Sequence, residues 1–272
     1  MPTSTYAQIP AVVHYLHLLR PMSVLDVGLG NGKMGFIARD LLDVMLGERY
    51  LRADWKVRID GIEIFERYVQ AHQRAIYDDI HIGDAFDVID RLGTYDLIII
   101  GDVLEHFDRV RAEAFLEKAV AHSAGAIILN IPLGERWTQD NIYDNEYERH
   151  RSFWRPEEFQ AFAEQSALSE FPGLGPYGSF LIRPAAYRHY RARVNADRLM
   201  ADGSPDAAMR LLIGVAGGLP PDIATELQIA ELLVRQGLNE QACERLERAR
   251  PHFPNHASLG RFIAQLKPSA AA

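Results

Sequence analysis

The stretch Val24-Leu25-Asp26-Val27-Gly28-Leu29-Gly30-Asn31-Gly32-Lys33 runs from a short β-branched segment through three closely spaced glycines into a run with helical apolar spacing. Glycines take positive φ and let a ligand approach the backbone closely. The helix N-terminus that follows offers unpaired N–H donors. Two partial GxGxxG patterns overlap here, one starting at Gly28 and one at Gly30 and reaching Gly35. A glycine loop taken alone fits several nucleotide ligands. Asp26, two residues before Gly28, narrows the choice. A loop built for a pyrophosphate takes a small apolar residue there, whereas a carboxylate suits a ligand carrying positive charge.

Around this loop, strand-like and helix-like runs alternate up to about residue 185. Strands are expected at Ser23–Val27, 56–62, Asp79–Ile82, 95–100 and 126–131, with a final pair at 167–171 and 179–182 joined by a Gly/Pro turn. The continuous apolar runs YDLIII and AIILNI are those of strands buried on both faces. Helices are expected over 31–46, 65–77, 105–122 and 156–165, the last opening on Pro156 with Glu157 and Glu158 in its first turn. Strand–helix–strand alternation implies a parallel sheet covered by helices, and the closing pair adds an antiparallel edge.

The chain has 272 residues, 37 acidic and 29 basic, for a net charge of −8. A hydrophobic content of 48% with 24% charged residues excludes wholesale disorder. No apolar run approaches the ~20 residues that span a bilayer, and the N-terminus carries no basic patch followed by an apolar stretch. The single cysteine, Cys243, allows neither an intramolecular disulfide nor a zinc cluster. A cytoplasmic location without membrane contact is expected. The acidic balance argues against sequence-independent nucleic-acid binding, which needs basic surface. Residues 1–186 hold 28 acidic and 18 basic side chains, net −10, and residues 187–272 hold 9 and 11, net +2.

That shift coincides with a change of pattern. Beyond about Tyr187 no strand run occurs, and residues recur at a period of 34. Ala196, Ala230 and Ala264 align, as do Leu199 with Leu233, Gly203 with Gly237, Ala208 with Ala242, Leu212 with Leu246 and Pro220 with Pro254. The segment resembles the tetratricopeptide repeat, in about two and a half copies. Two domains are therefore expected, 1–186 and 187–272. So few repeats are expected to dock on the first domain or on a partner, as a homo-oligomer or protein contact.

Two further acids lie in register with the glycine loop. Glu63 ends the second strand, where a carboxylate can accept both ribose hydroxyls. Asp84, in Gly83-Asp84-Ala85, follows the third strand, where an Asp can accept from an adenine amino group. The set resembles class I S-adenosylmethionine-dependent methyltransferases over about residues 10–185. The family's first motif matches Asp26, Gly28, Gly30 and Gly32, its ribose acid Glu63, and its adenine acid Asp84, with Ala85 beside it. The resemblance implies a Rossmann-like α/β fold, a seven-stranded sheet with a reversed closing hairpin, and S-adenosylmethionine as cofactor. The spacing from Gly32 to Glu63 is longer than the family's usual one, which places an insertion at about 47–55.

A second constellation, Gly101-Asp102-Val103-Leu104-Glu105-His106-Phe107, follows the fourth strand, at the sheet end where open α/β folds place ligands. The i, i+3, i+4 spacing puts Asp102, Glu105 and His106 on one side of a starting helix. That position puts Asp102, Glu105 and His106 near the transferred methyl group, with Asp102 expected as a cofactor contact, and the resemblance adds the later His150. His106 and His150 are the candidate bases for a hydroxyl acceptor. In some members an acid-x-x-Glu-His element with a later His holds a divalent metal, which Asp102, Glu105, His106 and His150 could imitate. Asp102 is shorter than the usual glutamate, and the leading expectation is no metal. The loop at 132–149 carries Trp137, Tyr143 and Tyr147 and reads equally as a substrate cap or a surface loop. The resemblance implies methyl transfer to O or N of a small molecule, with a sugar or glycan precursor as lead guess. Two alternatives stay open: a metal-assisted RNA 2′-O-methyltransferase, and a non-catalytic cofactor-binding module that presents the repeats to a protein partner.

Overall fold

The computed structural model describes residues 3–142 and 144–266. The chain divides into two compact units, Met1–Pro184 and Ala185–Ala272. Among the described residues, no helix is long and apolar enough to cross a membrane.

The first unit is a seven-stranded sheet, β1 Ser23–Val27, β2 Arg58–Glu63, β3 Asp79–Ile82, β4 Tyr95–Gly101, β5 Ser123–Pro132, β6 Ala163–Phe171 and β7 Gly175–Ile182. Its order is β3-β2-β1-β4-β5-β7-β6. The first five strands pair in parallel, and β7 runs antiparallel to both β5 and β6. Chain order reverses between β1 and β4, so a crevice opens at their carboxyl ends. Helices α1 Ile9–Leu19 and α2 Lys33–Arg39 cover one face, packing Val12, Leu16, Met34 and Ala38 on Val24, Ile59, Leu97 and Ile128.

Four expected helices are shorter than their apolar spacing suggests. The 31–46 run starts at Lys33 and becomes a π-helical turn over Asp40–Met45. There buried Asp43 accepts from Arg39, Arg49 and the Lys56 and Val57 amides. These bonds fold the 47–55 insertion back against the helix. The 65–77 run is a 3₁₀ turn, Glu66–Tyr68, then α3 Ala71–Ile76. Its break lies at Gln70, whose amide donates to Gln73 Oε1 at 2.6 Å to cap the new helix. After α4 Ala85–Val88, the 105–122 run begins as a 3₁₀ turn at Leu104–His106, and α5 Arg109–His122 starts from the Asp108 cap. The 156–165 run ends early, as α6 Pro156–Gln160, because β7 recruits Ala163 onward into β6.

Among its described residues the second unit has helices and no strand: α7 Pro184–Ala201, which starts at the last residue of the first unit, α8 Pro205–Gly218, α9 Ile223–Arg235, α10 Asn239–Ala249 and α11 Ala257–Leu266. Helices α8 and α10 begin 34 residues apart, and so do α9 and α11. Gly203 and Gly237 close α7 and α9 with φ of 76° and 77°. The two small cores repeat as well: Ala196, Ala208, Leu212 and Ile229 in one become Ala230, Ala242, Leu246 and Ile263 in the other. Ala264 is exposed on α11, where no described helix follows to cover it.

Candidate functional site

The crevice at the reversal point opens into a cavity of about 530 Å³ lined entirely by the first unit. Asp26, Gly28, Gly30, Glu63, Asp84, Ala85, Asp102, Glu105, His106 and His150 all line it. Gly32 does not. It caps α2 at φ 79° with its α-carbon turned towards Gln73 and Tyr77 behind the loop. Gly28 and Gly30 have φ of 71° and 47°, and a Cβ on Gly28 would meet Val103 Cγ2 at 2.6 Å. Loop shape and loop-to-β4 packing therefore both require glycine at position 28.

Each acid of the first constellation is fixed by protein groups. Tyr77 Oη donates to Asp26 Oδ2 at 2.5 Å and accepts from the Gly35 amide at 3.2 Å. Burial pushes the Asp26 carboxyl up to about 6, with the bonds from Tyr77 and Gly35 opposing. Glu63 accepts from the Gly30 amide at 3.0 Å and the Phe65 amide at 2.9 Å, one per carboxylate oxygen, so each oxygen keeps an acceptor site. Burial raises its pKa. Asp84 caps α4 through the Phe86 amide and pairs with Arg111 at 2.9 Å.

The second constellation sits differently from its expected helical face. Asp102 adopts φ 53° at the end of β4, and this left-handed residue turns the chain out of the sheet before the 3₁₀ turn. Tyr177 Oη, from β7, donates to Asp102 Oδ1 at 2.7 Å. Glu105 is 1% exposed, and among the described residues no other residue hydrogen-bonds either of its carboxylate oxygens. Burial first, then the charges of Asp102 and Glu148, push its pKa well above the usual carboxylate range. His106 donates from Nδ1 to the Arg149 carbonyl at 3.2 Å, and His150 donates from Nδ1 to the Trp137 carbonyl. His150 thus keeps Nε2 as an acceptor, while a further bond to the Asp102 backbone engages the His106 ring. Burial lowers both pKa values, that of His106 to about 4. The rings lie 5.1 Å apart.

Ligand atoms of Glu105, His106 and His150 lie within 4.8 Å of one another, so these three could hold a metal ion; Asp102 is not one of the set. The loop that supplies both carbonyls also ties itself to the site, because the Arg151 and Ser152 amides donate to the Glu105 carbonyl. Trp137 and Tyr147 line the cavity, while Tyr143 lies outside the described residues. Tyr77, Gln73, Arg111, Glu148 and Tyr177 carried no sequence signal as site residues, since each reaches the site through the tertiary fold. Gly35, visible in the second glycine pattern, was the one hint of the space that Tyr77 fills.

A family model described as "Methyltransferase domain" matches residues 5–168. No curated protein sequence matches the chain. Among solved structures, TehB from Haemophilus influenzae is 14% identical over 66% of this chain and 63% of its own, with a TM-score of 0.47. The chain thus spans less than two thirds of that protein's length. Burkholderia thailandensis 1,6-didemethyltoxoflavin-N1-methyltransferase, solved with 1,6-didemethyltoxoflavin and S-adenosylhomocysteine, is 18% identical over 65% of this chain and 78% of its own, with a TM-score of 0.47. Human N-acetylserotonin methyltransferase, solved with SAM, is 16% identical over 65% and 51%, with a TM-score of 0.43.

Proposed function

Because the chain belongs to the methyltransferase domain family, we propose that its first unit binds S-adenosylmethionine and transfers methyl to an O or N atom of a small molecule. A sugar or glycan precursor is the acceptor class to test first. The observation that carries this reading is one cavity joining the glycine loop, Glu63 and Asp84 to the Glu105, His106 and His150 cluster. Among the described residues six carboxyl groups besides Glu105 line it against three cations, Lys33, Arg111 and Arg151, which suits a cationic ligand.

In this reading Asp26, Gly28, Gly30 and Asp102 hold the amino-acid end, Glu63 the ribose, and Asp84 with Ala85 the adenine. When bound, S-adenosylmethionine supplies a methyl group already activated by its sulfonium. The protein's task is then alignment and proton removal. The rings of His106 and His150, neutral and each oriented by a carbonyl bond at Nδ1, are in this reading the bases for the acceptor's proton. Calorimetry with S-adenosylmethionine, followed by methyl-transfer assays across sugars, phenols and amines, tests the proposal. Tight binding without turnover on any acceptor would assign a non-catalytic cofactor-binding module instead.

Asp26 gives the cofactor reading a pH signature. A cationic ligand prefers the ionised carboxylate, so affinity should fall as pH drops through about 6. Titrations from about pH 5 to about pH 8 should show this slope in the wild type and lose it in Asp26→Asn. A flat wild-type profile would contradict an electrostatic role for Asp26.

A second reading places a divalent cation on Glu105, His106 and His150. It is favoured by the buried Glu105 oxygens, unpartnered among the described residues, and by ligand atoms of Glu105, His106 and His150 within 4.8 Å of one another. Mixed oxygen and imidazole donors suit Mg²⁺, Mn²⁺ or Zn²⁺, and the Nδ1 bonds to carbonyls are the orienting contacts that metal-binding histidines use. Under this reading chelation abolishes turnover, Mn²⁺ restores it, and His150→Ala prevents the restoration. Turnover indifferent to chelation removes it. The excess of carboxylates weighs against RNA as the acceptor even then.

We read α7–α11 as two and a half tetratricopeptide-like repeats that contact a second copy or another protein. The helix starts and core residues recurring at 34 support the repeat. Light scattering on the full chain, against Ile213→Glu on an exposed α8 position, measures whether copies pair through them.

A further inference from the structure

We propose that Arg111 is a positioning residue that sets the base selectivity of the cofactor site by fixing the Asp84 carboxylate; this rests on the S-adenosylmethionine reading above. The segment that carries Asp84 follows β3, and β3 is the edge of the sheet, with β2 as its only strand neighbour among the described residues. Among the described residues no further strand steadies this segment. Two cations on α5 hold it instead. Lys118 donates from Nζ to the Phe86 carbonyl at 2.7 Å and to Asp90 at 2.5 Å, and its ammonium lies 3.7 Å over the Phe86 ring. Arg111, two helical turns earlier, pairs with Asp84 Oδ2 at 2.9 Å, and its guanidinium lies 4.9 Å from the Phe86 ring and 5.0 Å from the Phe107 ring.

The two clamps differ in one respect. Arg111 and Asp84 line the cavity, and Lys118 does not. At Asp84 the Phe86 amide occupies one oxygen at 2.9 Å and Arg111 occupies the other. Held at both ends, the carboxylate cannot rotate, and each oxygen retains one lone pair. A fixed, acceptor-only group discriminates strongly between bases at one position. It accepts from the exocyclic amine of adenine and repels the carbonyl that hypoxanthine carries at the same carbon. The two aromatic rings beside the guanidinium limit its own freedom, so the pair is preorganised before any ligand arrives. Without Arg111 the carboxylate can turn about its side-chain torsion, and both the attraction and the repulsion weaken.

The test compares calorimetric affinities for S-adenosylhomocysteine and for S-inosylhomocysteine, its deaminated counterpart, in the wild type, Arg111→Met, Arg111→Lys and Lys118→Met. Arg111→Met is expected to lose on the order of tenfold in the adenine-over-hypoxanthine preference, the scale of one charge-assisted hydrogen bond. Arg111→Lys, which keeps the charge and the fold but not the planar fork, should lose less. Lys118→Met should lower thermal stability and leave the preference unchanged. An unchanged preference in both Arg111 variants overturns the proposal, as does an equal fall in Lys118→Met. A wild-type chain that binds neither compound overturns the cofactor reading itself, and the Arg111 role with it.

Discussion

Gly35→Ala is expected to destabilise the first unit by about 1–3 kcal/mol, against the sign that helix propensity gives. Gly35 lies inside α2, where alanine normally gains ~0.5–1 kcal/mol over glycine. Here the new Cβ would sit 2.2 Å from Tyr77 Cζ. Tyr77 is 2% exposed, so its ring has nowhere to go. The same ring lies 3.2 Å from where a Gly61 Cβ would be and 3.4 Å from a Gly32 Cβ. Gly35 is thus cleared for this one side chain, with Gly61 close beside it, and the Tyr77 hydroxyl then holds Asp26 and the Gly35 amide. Overpacking outweighs propensity, and urea unfolding should read the difference. In a Tyr77→Leu background the cost of Gly35→Ala should shrink, because the two changes share one contact. Equal costs in both backgrounds would show that Tyr77 is not the obstacle.

Glu105→Met should move stability and activity in opposite directions. An unpartnered buried polar group costs about 1–3 kcal/mol, and Glu105 keeps two such oxygens at 1% exposure. Methionine has similar volume and no polar atom, so the variant should unfold at higher urea concentration, by ~1–2 kcal/mol. Turnover should fall by about 10²-fold or more, the scale of removing a group that handles a proton or a metal at the reacting centre. A costly carboxyl kept facing a cavity is the signature of a site that trades stability for chemistry. A variant that is both less stable and fully active would reduce Glu105 to a packing residue. Glu105→Gln separates the two functional readings: it removes a metal ligand's charge and a proton-holding carboxyl alike, but only the metal reading predicts loss of Mn²⁺ binding measured without acceptor.

The expected strands lie within the observed ones, apart from a two-residue displacement at the start of β2, because a buried parallel strand is written in a local run such as 95–100. Helices were less legible. Apolar spacing over 65–77 and 156–165 is compatible with a continuous helix, yet Gln70 caps a new helix midway in the first and strand pairing with β7 ends the second. Spacing alone also placed Asp102, Glu105 and His106 on a helical face. A positive φ at Asp102 and a 3₁₀ turn deliver them to the cavity by another geometry.

By itself, the sequence determined the glycine loop, the βα alternation, the acids at the ends of β2 and β3, and the 34-residue period. These are properties of neighbouring residues: positive φ at glycine, periodic apolar spacing, and the end of a strand. Only the tertiary structure decided that Tyr77 props the loop from 51 residues beyond Asp26. It alone set Arg111 on Asp84 and closed Glu105, His106 and His150 into one cluster. Those contacts join segments that no local pattern links, and packing of the helices and loops against the sheet chooses among the many side chains that could have met there.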